Sequence, residues 1–489
     1  MAATRSEPVV RAVAGQLRGS RQAGLAVFRG IPFAEPPIGV LRFAAPQPVR
    51  GWDGVRAAVA YGPPPPQAGA FGMEALAQDV EGEDWLTVNV WSPEPDPGAG
   101  LPVMVWIHGG AYTIGMSSLP EYDGGRLARD GGVVVVTFNY RVGIEGFAQI
   151  EGAPANRGLL DQVAALEWVR DNIRAFGGDP DRVTVFGESA GAGSVAALLA
   201  MPRAVGLFRR AIAQSVQGTF FSVDLAADVA AVCAAELGVR PTVADLSGVA
   251  PDLLSAAGDS VAATMDRWVE RWGQIVHRSI LFSPVVDGDV LPVTPWRALA
   301  EGAGRDIELL VGHTRDEQRL FTALDGLLGQ VTPEQAAAAL QVFAPGPDGA
   351  ARYRDAFPAA GPDELYELVH SDCLFRMPTL HLAEAQTVAG GQVHVYELTW
   401  PAPGMEGVLR ACHGLDVPLV FGNLGSGQPA MLIGDDPTPE AEALSAGMRA
   451  AWTAFAAHGS PGWPAYDAER RLVQLFDTPT AVTAYPEEA

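Results

Sequence analysis

The pentapeptide Gly187-Glu188-Ser189-Ala190-Gly191 places a serine between two glycines at Gly-x-Ser-x-Gly spacing. A serine hydroxyl is a weak nucleophile until a base takes its proton. Small flanking residues allow the sharp strand-to-helix turn that lifts such a hydroxyl clear of the backbone. The chemistry this supports is acyl transfer through a covalent acyl-serine. Alone, the pattern is short and also describes a glycine-rich turn with an incidental serine; its surroundings make it specific here. Arg182-Val183-Thr184-Val185-Phe186 reads as a short strand running into the turn, and the small, apolar stretch Ala190 to Met201 reads as a helix packed close to a sheet.

The expected base is a histidine oriented by a carboxylate that also stabilises the imidazolium. On a parallel α/β sheet the chain order is serine, acid, histidine, which leaves His277, His313, His370, His381, His394, His413 and His458 eligible. His394 reads as lying within a strand and His458 in a terminal loop. His413 follows the β-prone run 392–398 after a Pro/Gly-containing segment that can carry it over the nucleophile, and it is the expected base. Asp316 and Glu317 follow the β-prone run 307–312 at its C-terminal end, the edge where open α/β sheets collect active-site residues. The pattern alone leaves both open as the acid, with a surface salt bridge for the other. An oxyanion needs preorganised N–H donors. The amide of Ala190 is one, and the others are expected from His108-Gly109-Gly110-Ala111, which has almost no side chains to block approach. Cys412 beside His413 reads as packing, since adjacent residues rarely face each other. Neither cysteine nor histidine shows metal-ligand spacing, so no metal and no cofactor are expected.

Those residues need a sheet to hold them. Pro102 to His108 and Val133 to Phe138 are apolar nearly throughout, the pattern of strands buried on both faces of a parallel sheet. Between Leu159 and Phe176 apolar residues recur at helical spacing, and Gly177 stops the helix. Strand, helix, strand, sharp turn, helix is a parallel α/β arrangement. Residues 8–50 read as an antiparallel ribbon and Pro63 to Pro66 as a stiff extended connector. The helix-rich stretches 220–280 and 325–390 are expected to be insertions forming a pocket rim, with Met265, Trp268 and Trp272 on one helical face as core packing. The expected organisation is one domain over 1–489 carrying these insertions.

Composition narrows the partners. The net charge of −24 argues against nucleic acid and anionic membranes, and no window approaches the ~20 apolar residues of a membrane span. All 33 basic residues are arginine, a compositional bias that says little about mechanism. Three cysteines, an odd count, and an N-terminus without an apolar leader predict residence in the cytoplasm. The acidic, apolar-rich chain suggests neutral or cationic small substrates, taken by a monomer or small homo-oligomer.

The chain resembles the type B carboxylesterases, the cholinesterase/carboxylesterase family, and among them bacterial para-nitrobenzyl esterases. The resemblance is carried by Phe28-Arg29-Gly30-Ile31-Pro32-Phe33-Ala34, Glu83 to Val90, Trp106 to Tyr112 and Asn139-Tyr140-Arg141-Val142-Gly143. It continues through Gly158 to Gly191, Phe421-Gly422-Asn423 and Trp463-Pro464. It implies the α/β-hydrolase fold, a large, mostly parallel sheet flanked by helices. It implies a Ser189, Glu317, His413 triad, with Glu317 rather than Asp316 as the acid, and oxyanion amides at Gly110, Ala111 and Ala190. Ser215 resembles a hydroxyl beside the triad, and Glu188 and His313 are further candidate neighbours. The implied activity is hydrolysis of small carboxylic esters. A carbamate or amide hydrolase or a lipase on the same triad is an alternative, as is a non-catalytic binding module. The chain departs from the family pattern at His313, usually Thr, and Gln318, usually Gly. Pro65 and Trp85 stand where many members carry a disulfide, so the early loop is expected to be held by packing. Ala111 is the variant that the resemblance associates with roomy alcohol pockets.

Overall fold

Alternating apolar side chains along strands that face protein on both sides set the architecture. In the computed structural model, which describes residues 6–67, 82–278, 280–427 and 429–485, eleven strands form one sheet. They are β1 (Ser20–Gln22), β2 (Leu25–Pro32), β3 (Thr87–Ser92), β4 (Leu101–Ile107), β5 (Val134–Phe138) and β6 (Gly178–Glu188). The remainder are β7 (Arg210–Gln214), β8 (Glu308–Thr314), β9 (Val393–Leu398), β10 (Leu472–Phe476) and β11 (Ala481–Ala484). Their spatial order is β11-β10-β9-β8-β7-β6-β4-β5-β3-β2-β1. Pairing is parallel from β5 through β4, β6, β7, β8 and β9 to β10, and antiparallel at both ends.

The two faces are legible within single strands. Val103, Val105 and Ile107 of β4 pack into one hydrophobic cluster, while Met104 and Trp106 pack into the other. Leu309 and Val311 of β8 face the first, and Leu310 the second. Helices α1 (Arg157–Asn172) and α2 (Ala190–Ala200) cover the first face, and α3 (Pro439–His458) covers the second. Every residue of α2 is buried, and the small side chains let it approach closely. A Cβ on Gly187 would lie 2.7 Å from both the Ile107 oxygen and the Gly191 carbonyl carbon.

Several expectations shift in detail. The strand read at 182–186 spans Gly178–Glu188, because Leu101 of β4 pairs back to Gly178. The helix read through Phe176 is α-helical to Asn172 and then tightens into a 3₁₀ turn, Ile173–Phe176, closed by Gly177 at φ +89°. His458, read as a loop residue, is the last residue of α3, which Gly459 ends in a left-handed conformation. The N-terminal ribbon divides: Val9–Arg11 and Gln16–Arg18 form a small sheet with Val55–Ala57, while β1 and β2 join the main sheet. Met265 and Trp272 are buried as expected, but on separate short turns rather than one helix. Trp268 stacks on Trp272, with ring centroids 5.4 Å apart.

Helices Val223–Glu236 and Pro251–Ala262 lie within 220–280, and Pro333–Phe343, Gly349–Ala356, Pro362–Ser371 and Met377–Val388 within 325–390. Residues 68–81 of the loop between Pro65 and Trp85 lie outside the described residues; Trp85 itself is buried. Among the described residues, no helix is long and apolar enough to cross a membrane.

Candidate active site

Parallel pairing brings the C-terminal ends of β4, β6, β7, β8 and β9 to one edge. Ile107 lies opposite Gly187, Glu188 opposite Gln214, Gln214 opposite Gly312 and His313 opposite Glu397. The residues that follow these positions make the site. Ser189 follows β6 at φ +57°, ψ −121°, and caps α2. A non-glycine residue in this region is strained. The turn is held by the Ser189 amide, which donates to Gln214 O at 2.9 Å, and by the Gly193 amide, which donates to Ser189 O at 2.9 Å.

After β8, the backbone turns so that Thr314 N donates to Glu317 Oε1 at 2.9 Å. Ser215 Oγ, just beyond β7, donates to the same oxygen at 2.6 Å. Glu317 Oε2 lies 2.5 Å from Nδ1 of His413, 96 residues further along the chain. Glu317 is fully buried. Burial by itself would raise its carboxyl, but the His413 charge and the hydrogen bonds from His413 and Ser215 outweigh burial and hold it below its ordinary value. Asp316 points elsewhere: its side chain accepts from Ala411 N at 3.3 Å and lies 3.8 Å from Arg410.

His413 is buried, with its ring flanked by Phe375 and Phe321 at centroid distances of 4.3 and 5.2 Å. Its Nε2 lies 3.1 Å from Glu188 Oε1, off the alignment of a hydrogen bond. No hydrogen bond joins Nε2 to Ser189 Oγ. Burial pulls the imidazole down, but the charges of Glu188 and Glu317 and the Glu317 hydrogen bond raise it to about 9. Glu188 is pushed up to about 8 by burial, against the attraction of His413 and with the repulsion of Asp416 and Glu317. His313 does not hydrogen-bond Glu317. Its Nε2 meets Tyr485 OH at 2.8 Å, and its Nδ1 meets Thr314 O at 3.0 Å. Cys412 is buried, and its thiol is pushed up to about 12 by burial and by Glu317.

The loop after β4 is held from behind. Tyr140 OH donates to His108 O at 2.7 Å, and the two rings stack at 4.3 Å. Burial lowers His108 to about 4, so it stays neutral. Arg141 grips Asp161 with Nε–Oδ2 at 2.8 Å and Nη2–Oδ1 at 2.7 Å, both side chains fully buried. This pair fastens the 139–143 segment to α1. Gly110 adopts φ +110°, which a side chain would strain. Ala111 and Tyr112 also take positive φ. The amides of Gly110, Ala111 and Ala190 donate to no protein acceptor among the described residues, and all three residues line one cavity with Ser189, Glu188 and His413.

That cavity has a volume of about 510 Å³, within the usual range for small-molecule sites. Leu320, Phe321, Leu324, Leu374, Phe375 and Leu432 give it an apolar wall. Glu121 and Arg278 also line it. No local pattern marked these two, since they reach the cavity from segments distant in sequence from the turn, the acid and the base.

Residues 6–341 match the model of the carboxylesterase family. The chain is 39% identical over 485 residues to the para-nitrobenzyl esterase of Bacillus subtilis, covering 97% of this chain and 95% of that protein. It is 34% identical to the phenmedipham hydrolase of Pseudarthrobacter oxydans, covering 95% and 94% of the two chains. A crystal structure of a Geobacillus stearothermophilus carboxylesterase superimposes with a TM-score of 0.86 at 37% identity, covering 98% of each chain. With the α/β-hydrolase sheet of these relatives and a match over most of its length, this chain belongs to the carboxylesterase family and is a carboxylic ester hydrolase.

Proposed function

We propose that the chain hydrolyses small carboxylic esters through an acyl-enzyme on Ser189, with His413 as base, Glu317 as its orienting acid and the Gly110, Ala111 and Ala190 amides as the oxyanion hole. The observation that carries this reading is the meeting of three features in one cavity. These are a strained serine at the head of a buried helix, three amides without protein acceptors, and an imidazole whose far nitrogen is held 2.5 Å from a buried carboxylate. His413 Nε2 accepts the Ser189 proton as Oγ attacks the ester carbonyl; catalytic hydrogen bonds of this kind tighten once substrate fills the site. The negative charge on the tetrahedral oxygen is met by amides already in place, each contributing roughly 2.7–4 kcal/mol. The alcohol takes the proton from His413 and leaves. Water then attacks the acyl-serine as His413 takes a proton from it, and His413 returns that proton to Ser189 Oγ as the acid departs.

An apolar wall and a volume of about 510 Å³ suit small esters. The three cysteines are free, Cys233 and Cys412 being buried, which suits a reducing compartment such as the cytoplasm. Treatment with an organophosphate such as diethyl p-nitrophenyl phosphate tests the nucleophile. One phosphoryl group per chain on Ser189, with turnover of p-nitrophenyl esters abolished in step and in Ser189→Ala, is the expected result. Full turnover by Ser189→Ala would refute it, and turnover of matched amides or carbamates in preference to esters would redirect the substrate class.

A further inference from the structure

The ordinary habit of this chain is to pair its buried guanidinium groups. Arg141 meets Asp161 at 2.7 Å, Arg376 meets Asp372 at 2.9 Å and Arg42 meets Glu145 at 2.6 Å. Arg157 is satisfied by the carbonyls of Ile144, Glu145, Ala148 and Pro154. Arg278, in the wall of the active-site cavity, has no carboxylate partner among the described residues. Its Nη1 donates to Thr219 Oγ1 at 3.0 Å, and its Nη2 faces Cys373 Sγ at 3.3 Å. The Nε is buried with no acceptor at all. Sulfur is a weak acceptor, and a guanidinium has no neutral form to retreat to in a protein. A partly desolvated cation is therefore left short of acceptors at the edge of the reaction chamber.

Among the described residues, none of the nearby acids forms an ion pair with Arg278. Asp372, beside Cys373, is taken by Arg376 and by Tyr353 OH at 2.7 Å. Of the cavity carboxylates, Glu188 lies 3.1 Å from His413 Nε2, and Oε2 of Glu121 is buried without a hydrogen-bond partner. Asp325 also lines the cavity and pairs with no cation among the described residues. Arg278 is held in place by a rigid neighbour: Thr219 is buried, and its carbonyl accepts from Ser283 Oγ and from Gln217 Nε2.

We infer that Arg278 is a subsite for a carboxylate on the substrate, remote from the ester that is cleaved, so that the cavity takes monoanionic esters such as half-esters of dicarboxylic acids. This rests on the esterase reading of the same cavity. The planar guanidinium matches a carboxylate by paired N–H donors, and the apolar wall accommodates the methylene chain between the two ends. The net charge of −24 suggests neutral or cationic substrates, but a contact inside the cavity outweighs charges that solvent screens at the surface.

The test compares kcat/KM for monomethyl adipate and methyl hexanoate, which share a six-carbon acyl chain and differ at its far end. In Arg278→Met the adipate-to-hexanoate ratio is expected to fall about ten- to hundred-fold, the range for a hydrogen bond to a charged group, with the change in KM rather than kcat. Arg278→Lys keeps the charge without the fork and should retain part of the ratio, whereas Arg278→Glu should lower it further. Turnover of methyl hexanoate by each variant shows that it has folded. A ratio unmoved by Arg278→Met while methyl hexanoate is hydrolysed overturns this inference alone. Wild-type protein that cleaves neither ester and takes no organophosphate at Ser189 overturns the esterase reading, and this inference with it.

Discussion

The contact between Glu188 and His413 has a direct consequence for pH dependence. A free imidazole titrates near 6.5, but His413 sits between two carboxylates and is raised to about 9. With His413 as the proposed base, its unprotonated form is the active one, so kcat/KM should rise with pH along a limb centred above the ordinary histidine value. Glu188→Gln keeps the side-chain volume and removes a charge 3.1 Å from Nε2. At an effective dielectric of about 20, a full unit charge at that distance favours the imidazolium by about 5 kcal/mol, or roughly four pH units. The full effect is not expected, because burial holds Glu188 up to about 8, so below that pH it is mostly protonated and carries little charge. Glu317 and Asp416 also remain, and burial still lowers the imidazole. The sign is fixed: losing an anion lowers the His413 value, so the variant becomes active at lower pH. A shift of the limb of about 1–2 units toward acid is expected, read from initial rates on a p-nitrophenyl ester between about pH 5 and 10. A limb that stays within ~0.3 unit of wild type, or moves toward alkali, would show that Glu188 does not set the charge state of His413.

Two further outcomes follow from the hydrogen bonds and ion pairs around the site. Ser215→Ala removes the 2.6 Å bond to Glu317 Oε1 and leaves the Thr314 amide on that oxygen, so kcat should fall about tenfold with KM little changed, for a loss of about 1.4 kcal/mol. A fall no larger than about twofold would show that the hydroxyl does not orient the acid. Arg141→Met leaves Asp161 buried and unpaired where a bidentate bridge stood, and urea unfolding should report a loss of about 3–5 kcal/mol. Stability within ~1 kcal/mol of wild type would mean that the pair is not what fastens the 139–143 segment to α1.

Local pattern carried the reading wherever one element acts alone. The apolar runs at 102–108 and 133–138 are buried strands because a parallel sheet covers both their faces. The small residues of 187–201 predict a tight turn and a closely packed helix, as α2 shows. Boundaries were less legible, since they depend on pairing: Asp179 and Pro180 do not look like a strand, yet β6 begins at Gly178 because β4 lies alongside. Between Asp316 and Glu317, neighbouring residues of one chemical type, local pattern had no preference and only the family resemblance did. In the fold, one turns to Ala411 N and the other to His413. The approach of Glu188 to His413, the bond from His313 to Tyr485 across 172 residues and the contacts of Arg278 with Thr219 and Cys373 left no trace in local pattern. Sequence alone determined the elements, their order and the serine with its turn, because short-range sterics and burial periodicity act over a few residues. Only the tertiary structure decided which charges meet in the cavity, because electrostatic contact depends on ångströms between segments that lie far apart along the chain.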